Sequence, residues 1–359
     1  MTSPGPDLFW KLNMSTDGQS AAPGWGAIQP SDLPPAAPVT PPAPGPPAPD
    51  PPAGAVFFDD FTQTPAGALP DPAKWAIAEN GNDPTGCSQI YTRDPAVAGV
   101  QAGAGVNGSN ALVFQVQAYN GTPLQQAGTG ADTITPTPGG YLSARVTTFP
   151  EPAGNDILWS WMRPGFTQFS FISGTLTVVA KINPMPGMWP ALWVYGTDQR
   201  WPTGGEVDLV ESFGGSPVSK TQLDYAYFNV IGPRCIGDYA GADYEGTQPQ
   251  MNVSPASIAD GAFHAYQMTI NAAADEISFL MDGVPYQNSP VTKAGWLAAM
   301  AAKGWPNSIW PFGGPLGIVM NVAVGGPNSV GGGLVPFPSA STVLPVEIMV
   351  VDSVSVTVP

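Results

Sequence analysis

Cysteine and histidine are scarce in this sequence, which excludes several kinds of catalytic and metal site. The 359 residues contain two cysteines, Cys87 and Cys235, and one histidine, His264. With no CxxC pair, the chain lacks the ligands of a zinc ribbon and the thiols of a redox dithiol motif. A single histidine excludes HExxH metalloproteases and multi-histidine metal sites. A Ser-His-Asp triad would have to use His264, and no GxSxG nucleophile elbow accompanies it.

Basic residues are also few, with 11 Lys and Arg against 27 Asp and Glu, and the formal net charge is -16. Because phosphate binding needs clustered basic side chains, we expect no nucleic-acid partner. No segment runs through eighteen apolar residues, so we expect no membrane insertion. No basic stretch followed by an apolar run opens the sequence, so no secretory signal is visible. Hydrophobic residues make up 43% of the chain, which is enough for a sizeable core.

Three segments of different composition follow one another along the chain. Residues 1–33 are polar but contain aromatic residues such as Phe9 and Trp10, and residues 34–55 are rich in proline and alanine. We interpret 1–33 as a docking segment for a larger protein assembly, with a disordered tail as the alternative. We interpret 34–55 as an extended linker, since proline favours the polyproline II conformation. Residues 56–359 then form the folded domain.

Short β-rich runs separated by Gly, Pro, Asn and Asp dominate this domain, which predicts an all-β fold. Apolar and polar residues alternate, as in half-buried strands, over residues 111–117, 141–148, 174–181 and 346–358. Many strands at this spacing across about 300 residues favour one two-sheet β-sandwich, a jelly roll of the concanavalin type.

Two further local patterns predict a hairpin and a helix. Residues 276–281 are followed by Asp282-Gly283, a pair that supplies the positive φ angles of a type I′ turn. Residues 292–303 carry apolar residues at one-turn spacing, including Trp296 and Met300, and predict a packed accessory helix.

The acidic motif Glu206-x-Asp208-x-x-Glu211 is the strongest candidate for chemistry. In a strand, residues two apart share a face, so Glu206 and Asp208 point the same way and Glu211 has the wrong parity. A β-bulge between Asp208 and Glu211 would turn all three carboxylates toward one surface, and bulges are common beside active sites.

Three carboxylates on one face suit glycoside hydrolysis. Like charges drive pKa values apart, so one carboxylate can stay ionised as a nucleophile while another stays protonated as an acid. A strand of this length lets two long Glu side chains approach the separation of about 5 to 5.5 Å that a retaining enzyme needs. The alternative is an acidic strand face or a calcium site, since hard cations also bind clustered carboxylates.

The surrounding sequence resembles the family-16 glycoside hydrolases, β-jelly-roll endoglycanases of the laminarinase type. Upstream of the acids lies Trp189-Pro190-Ala191-Leu192-Trp193, similar to the Trp-Pro-Ala-x-Trp strand of that family. Further stretches resemble the family in the same order, and they are residues 56–61, 74–75, 141–148, 263–266, 281–283, 320–326 and 351–354.

The resemblance implies a role for each acid. Glu206 would be the nucleophile, Glu211 the acid/base and Asp208 the residue that holds or polarises the nucleophile, whereas physical reasoning alone does not say which glutamate does which. Trp189 and Trp193 are candidate walls of a sugar-binding cleft, because sugar rings present CH faces that stack on aromatic rings. Core packing is the alternative for both, and is favoured for Trp193.

The resemblance also suggests supporting residues. His264 would lie in a strand beside the site, as a buried, hydrogen-bonded residue in preference to a catalytic one. Asn321 would contact sugar or support the acids. No cofactor is expected in the chemistry, although Asp59 and Asp352 with nearby carbonyls are candidates for the structural calcium of some family members.

Departures from the family leave the substrate open. Residues 221–230 lack the His-Trp or His-Tyr pair that many relatives carry after the acidic strand. Residues 173–179 lack three charged residues that other relatives carry before the Trp-Pro-Ala motif. We therefore expect a retaining endo-hydrolase of a β-linked polysaccharide, with a glycan-binding module of little or no turnover as the alternative. The docking segment and linker suggest an extracellular or virion-associated location, for instance on a phage tail that meets a host cell surface.

Overall fold

Alternating buried and exposed side chains build two packed β-sheets in a computed structural model of the chain. The structure describes residues 51–78, 89–119, 124–125, 133–134, 140–149, 168–197, 201–213, 225–238, 241–244, 252–325 and 343–358. The predicted docking segment and most of the predicted linker lie outside these residues. Within them, no helix is long and apolar enough to cross a membrane.

Twenty strands and one α-helix are present in the described part of the chain. The strands are β1 Ala55–Asp59, β2 Ala76–Ile77, β3 Gln89–Tyr91, β4 Ala98–Gln101, β5 Ala111–Ala118, β6 Leu124–Gln125, β7 Thr133–Ile134, β8 Tyr141–Ser143, β9 Arg145–Thr147, β10 Gly174–Ile182, β11 Met188–Gly196, β12 Glu206–Glu211, β13 Tyr227–Gly232, β14 Ala242–Asp243, β15 His264–Asn271, β16 Glu276–Met281, β17 Val284–Pro285, β18 Val291–Thr292, β19 Leu316–Val324 and β20 Val346–Thr357. The helix, α1, is Lys293–Ala302.

The two large sheets form the sandwich. The larger sheet has the strand order β17-β16-β15-β10-β20-β5-β8-β3, with β1, β4 and β18 paired alongside. The smaller sheet has the order β14-β13-β12-β11-β19-β9-β2 and contains the acidic strand. Their pairs are antiparallel except for β3 with β8. The predicted two-sheet β-sandwich is confirmed.

The core lies between the inner faces of the two sheets. On β10 the burial alternates at every residue, with Leu176, Val178 and Ile182 in the core. On β19, in the other sheet, Ile318 and Met320 belong to the same core cluster. A single cluster of buried side chains joins both layers, so each inner face is covered by the other and each outer face meets solvent or a cleft.

One predicted strand differs from the prediction. Residues 141–148 form two short strands, because the chain leaves the larger sheet after Ser143 and enters the smaller sheet at Arg145. The Oγ atom of Ser143 donates a hydrogen bond of 2.6 Å to the carbonyl of Val322 in the smaller sheet. Local alternation continues through Ala144, so the change of sheet has no signal in the periodicity.

The predicted hairpin and helix are confirmed. Asp282 and Gly283 have φ angles of 53° and 76° between β16 and β17, as the type I′ turn requires. Helix α1 begins after Thr292, whose side chain accepts a hydrogen bond from the backbone N–H of Gly295. Trp296 is fully buried and anchors the helix, and its Nε1 donates to the carbonyl of Val230 over 2.9 Å.

Candidate active site

Strand β12 carries the predicted bulge. Asp208 and Glu211 are three residues apart, but they face Asn229 and Tyr227 of β13, which are two residues apart. The same mismatch occurs against β11 on the other side of the strand, where the register shifts between Leu192 and Trp193. One extra residue is thus inserted in β12 relative to both of its neighbours.

The bulge determines which side chains enter the core. Val207, Leu209 and Val210 all belong to the core cluster, so two consecutive residues, 209 and 210, point inward. Glu206, Asp208 and Glu211 lie outside that cluster on the opposite face, which is the outer face of the smaller sheet. The three carboxylates therefore share one face, as the parity argument required.

The acids differ in their exposure. Asp208 is 3% exposed and Glu211 is 7% exposed, whereas Glu206 is half-buried. Buried carboxylates require hydrogen-bond donors, because an uncompensated charge away from water is strongly unfavourable. Two tryptophans supply donors to the two glutamates.

One indole N–H binds each glutamate. Nε1 of Trp201 donates to Oε2 of Glu206 over 2.6 Å, and Nε1 of Trp189 donates to Oε1 of Glu211 over 3.2 Å. The bond to Glu206 is the shorter of the two, and each bond restricts the rotamer of the side chain that accepts it. The glutamates are thus held by two indoles, one from β11 and one from the turn before β12.

Trp189 also takes part in an aromatic wall at the Glu211 end of the strand. Its ring lies 4.9 Å from that of Phe213, which in turn contacts Tyr227 with the ring centroids 6.4 Å apart. The indole is half-buried, so one part of it remains accessible beside Glu211. This placement fits a cleft wall.

Trp193 lies in a more tightly packed arrangement. Its Nε1 donates to Oδ1 of Asn321 over 2.7 Å, and Nδ2 of Asn321 donates to the hydroxyl of Tyr91 over 3.3 Å. The guanidinium of Arg145 lies 5.4 Å from the centre of the Trp193 ring, and the ring of Tyr195 stacks against it at 5.4 Å. These contacts favour the packing interpretation of Trp193, and they give Asn321 a supporting position on the same outer face.

His264 lies away from this group, on β15 of the larger sheet. Its Nδ1 is 2.7 Å from Oδ2 of Asp282 and its Nε2 is 3.1 Å from Oδ1 of Asp260. Desolvation lowers the pKa of His264, but the hydrogen bonds to Asp282 and Asp260 outweigh it and raise the pKa above its ordinary 6.5. The structure thus brings six of the seven predicted site residues together and places His264 elsewhere, as a buried, hydrogen-bonded residue.

The two aspartates proposed for calcium already bind donors. Asp59 accepts from Nζ of Lys74 over 3.1 Å and from Nε1 of Trp75 over 2.7 Å. Asp352 accepts from the backbone N–H of Val106 and from the hydroxyl of Ser109. Such donor sets do not favour a cation at either carboxylate. No group of three or more metal-binding side chains occurs among the described residues, and calcium stays a prediction.

Trp201 and Tyr91 belong to the candidate site but were not predicted from the sequence. Trp201 lies five residues before Glu206 in a turn, so neither strand periodicity nor the acidic motif pointed to it. Tyr91 comes from β3 and reaches Asn321 across 230 residues of sequence. Cys235 is a free, exposed cysteine, and Cys87 lies outside the described residues.

Comparison with known proteins adds a family match. Residues 167–223, which include the acidic strand, match the family model described as the XgeA-like, catalytic GH16 domain. Because this match covers 57 residues, it concerns the region of the site and not the whole chain.

Three curated proteins are similar to longer parts of the chain. Glucan endo-1,3-beta-glucosidase A1 of Niallia circulans is 31% identical over 159 residues, 43% of this chain and 20% of that protein. Beta-glucanase of Rhodothermus marinus is 26% identical over 281 residues, 76% of this chain and 75% of that protein. The beta-1,3-glucan-binding protein of Penaeus monodon is 27% identical over 175 residues, 45% of each chain. The chain thus spans only a fifth of the first of these relatives.

Solved structures share the fold. The laminarinase of Rhodothermus marinus superposes with a TM-score of 0.53 at 22% identity, over 84% of this chain and 96% of that one. Residues 167–223 are thus similar to a GH16 catalytic domain, and the chain shares the β-sandwich fold of a solved laminarinase.

Proposed function

We propose that this protein is a retaining endo-glycoside hydrolase that cleaves a β-linked glucan, with β-1,3-glucan as the first candidate. The observation that carries the proposal is the bulge in β12, which turns Glu206, Asp208 and Glu211 to one face. The GH16 match in the same region and the names of the glucanase relatives support this reaction and substrate class.

The proposed reaction uses the two glutamates in sequence. The carboxylate of Glu206 attacks the anomeric carbon while Glu211 donates its proton to the leaving glycosidic oxygen, giving a glycosyl ester on Glu206. Glu211, now ionised, then removes a proton from water, which attacks the same carbon and releases Glu206. These steps need only the carboxyl groups and water.

The neighbouring residues fit supporting roles. The Trp201 indole fixes Glu206 and so holds the attacking oxygen in place. Asp208 is buried between the two glutamates along the strand, where it can hold a proton or a hydrogen bond for Glu206. Trp189 offers its accessible ring to a sugar beside Glu211.

Glycan binding without turnover is the second candidate, and the similarity to a beta-1,3-glucan-binding protein favours it. Reducing-end release distinguishes the two, measured for the wild type, Glu206→Gln and Glu211→Gln on laminarin, lichenan, agarose and galactan. Hydrolysis predicts release by the wild type and its loss in both variants. Equal retention of glucan by all three proteins without release would support the binding module and contradict the enzyme.

A virion location is a separate proposal, based on the composition of residues 1–55. We propose that the aromatic segment 1–33 attaches the enzyme to a phage tail or similar particle outside the cell. Deletion of residues 1–33 should abolish incorporation into the particle while hydrolysis by the purified protein persists. Incorporation of the truncated protein at the wild-type level would contradict this location.

A further inference from the structure

An open pocket lies away from the acidic strand, between the segment that follows β13 and the segment that follows α1. Its volume is about 300 Å³, which is at the small end of ligand pockets. The lining residues are Arg234, Cys235, Asp238, Gly304, Trp305, Pro306 and Asn307. None of them takes part in the proposed hydrolysis.

One wall of the pocket is fixed by an ion pair. The backbone N–H and Nε of Arg234 both donate to Oδ2 of Asp238, and its Nη2 donates to Oδ1 over 2.7 Å. Asp238 is 7% exposed, whereas the side chain of Arg234 is 35% exposed, so the carboxylate is buried and the guanidinium reaches the solvent. The hydrogen bonds to Asp238 hold the guanidinium in place before any ligand arrives, and its charge is neutralised by Asp238.

Aromatic and apolar surface completes the pocket. The half-buried ring of Trp305 lies with its centre 5.7 Å from the guanidinium of Arg234 and 5.5 Å from Nζ of Lys303. Beside these walls, Ile236 is 90% exposed and Ile309 is 40% exposed. A half-buried tryptophan beside hydrogen-bonding side chains, with exposed apolar residues nearby in sequence, is typical of a binding surface.

We propose that this pocket is a second glycan-binding site, which takes one neutral sugar residue of the polysaccharide. A sugar would place its CH face on Trp305 and its hydroxyl groups on Asn307 and Arg234. The ligand is neutral because Arg234 is already paired and the chain carries a net charge of -16, which repels polyanions. The identity of the polymer rests on the proposed function, whereas the pocket itself does not.

The loop that lines one side of the pocket follows the end of β13 that pairs with Glu206. Gly241 follows Asp238 by three residues, and a Cβ atom at Gly241 would lie 3.1 Å from Cη2 of Trp201 and 3.0 Å from Cγ2 of Ile231. Ile231 pairs directly with Glu206 across the strands. A chain bound in the cleft could thus continue toward Trp305, which would strengthen the retention of long polymers.

Cys235 provides a probe, because it is exposed and lines the pocket. The test measures the rate of Cys235 alkylation by a maleimide in a Cys87→Ser, Glu206→Gln background. A β-1,3-gluco-hexasaccharide should slow alkylation at least fivefold.

Three variants locate the site of this protection. Trp189→Ala weakens the cleft and should leave the protection of Cys235 unchanged, whereas Asn307→Ala should abolish the protection. Gln287→Ala, an exposed position outside the pocket, is the matched control and should keep it.

The outcomes separate this site from the enzyme. Hydrolysis by the Cys87→Ser protein, without protection of Cys235, would overturn the second site and leave the enzyme in place. Protection without hydrolysis would keep the site and overturn the enzyme. An oligogalacturonate serves as an anionic comparison, because each of its sugar residues carries a carboxylate. Protection of Cys235 by this oligosaccharide and not by the neutral hexasaccharide would contradict a neutral ligand. Protection that vanishes in Trp189→Ala but survives Asn307→Ala would show that the cleft accounts for it, which also overturns the site.

Discussion

The indole of Trp201 donates a 2.6 Å hydrogen bond to the carboxylate of Glu206, the proposed nucleophile. The two residues are five apart in sequence, one in a turn and the other at the start of β12. Because the donor sits on the outer face of the sheet, it fixes Glu206 without drawing it into the core. The turn before the strand is thus part of the proposed catalytic arrangement.

Trp201→Phe tests this contact, since phenylalanine keeps an aromatic ring and loses the N–H. A hydrogen bond to a charged group contributes about 1.5 to 3 kcal/mol, so we expect kcat to fall by about tenfold to a hundredfold. KM should change less, because the lost contact is to an enzyme side chain and not to the sugar. Steady-state kinetics on soluble glucan measure both constants. An unchanged kcat would contradict the positioning role.

Gly241→Ala tests the position of the Trp201 ring by a second route. Gly241 has a φ of +70°, where an L residue costs about 1 to 2 kcal/mol, and the added Cβ would press on Trp201. We expect kcat to fall several-fold and the melting temperature to fall by a few degrees. Gly237→Ala is a matched control, because its φ is +78° but its Cβ would meet nothing within 4 Å. It should lower stability similarly and leave kcat unchanged.

Deletions in β12 test the bulge. Removing Val210 should give a regular strand in which Glu211 still shares the face of Asp208, whereas removing both Leu209 and Val210 should turn Glu211 toward the core. General acid catalysis contributes about 10² to 10⁴ in rate, so the single deletion should retain at least about a hundredfold more activity than the double deletion. Circular dichroism checks that both fold. Equal loss of activity in two folded variants would contradict the parity argument.

His264 should give a pH-dependent contribution to stability. Its raised pKa means that the charged imidazole stabilises the fold fully below about pH 6.5 and that this contribution is lost as the pH rises through the folded-state pKa. Asp260 has a lowered pKa, through the backbone N–H of Ala262 and then through His264, so its contribution is lost when the pH falls through that lower value. We call the contacts of His264 with Asp260 and Asp282 the histidine clamp. Its stabilising contribution is therefore complete between about pH 4 and pH 6.5.

His264→Gln measures the clamp. Asp260 and Asp282 are about half-exposed, which screens both pairs, so we expect a loss of about 1 kcal/mol at pH 5.5 and a smaller loss at pH 8.5. Urea unfolding at the two pH values gives both numbers. Since His264 is the only histidine, its imidazole resonance can also be titrated directly by NMR. A pKa below 6.5 would contradict the clamp.

Local patterns predicted the features that depend on periodicity. The alternation of β10, the turn at Asp282-Gly283 and the face shared by Glu206 and Asp208 follow from backbone geometry, and so does the need for a bulge before Glu211. Features that join distant segments gave no local signal. The passage of the chain between sheets at Ala144, the placement of Arg145 over Trp193 and the reach of Tyr91 to Asn321 depend on tertiary packing. The pocket around Trp305 likewise forms only when two separate loops meet.

The anomeric form of the first product tests the central claim most directly. If Glu206 forms a covalent intermediate that water then opens on the same face, the new reducing end appears first as the β anomer. Proton NMR during the first minutes of hydrolysis of a β-1,3-glucan resolves the two anomers before they equilibrate. Initial accumulation of the β anomer would agree with retention by Glu206 and Glu211. Initial accumulation of the α anomer would show inversion and contradict the proposed nucleophile.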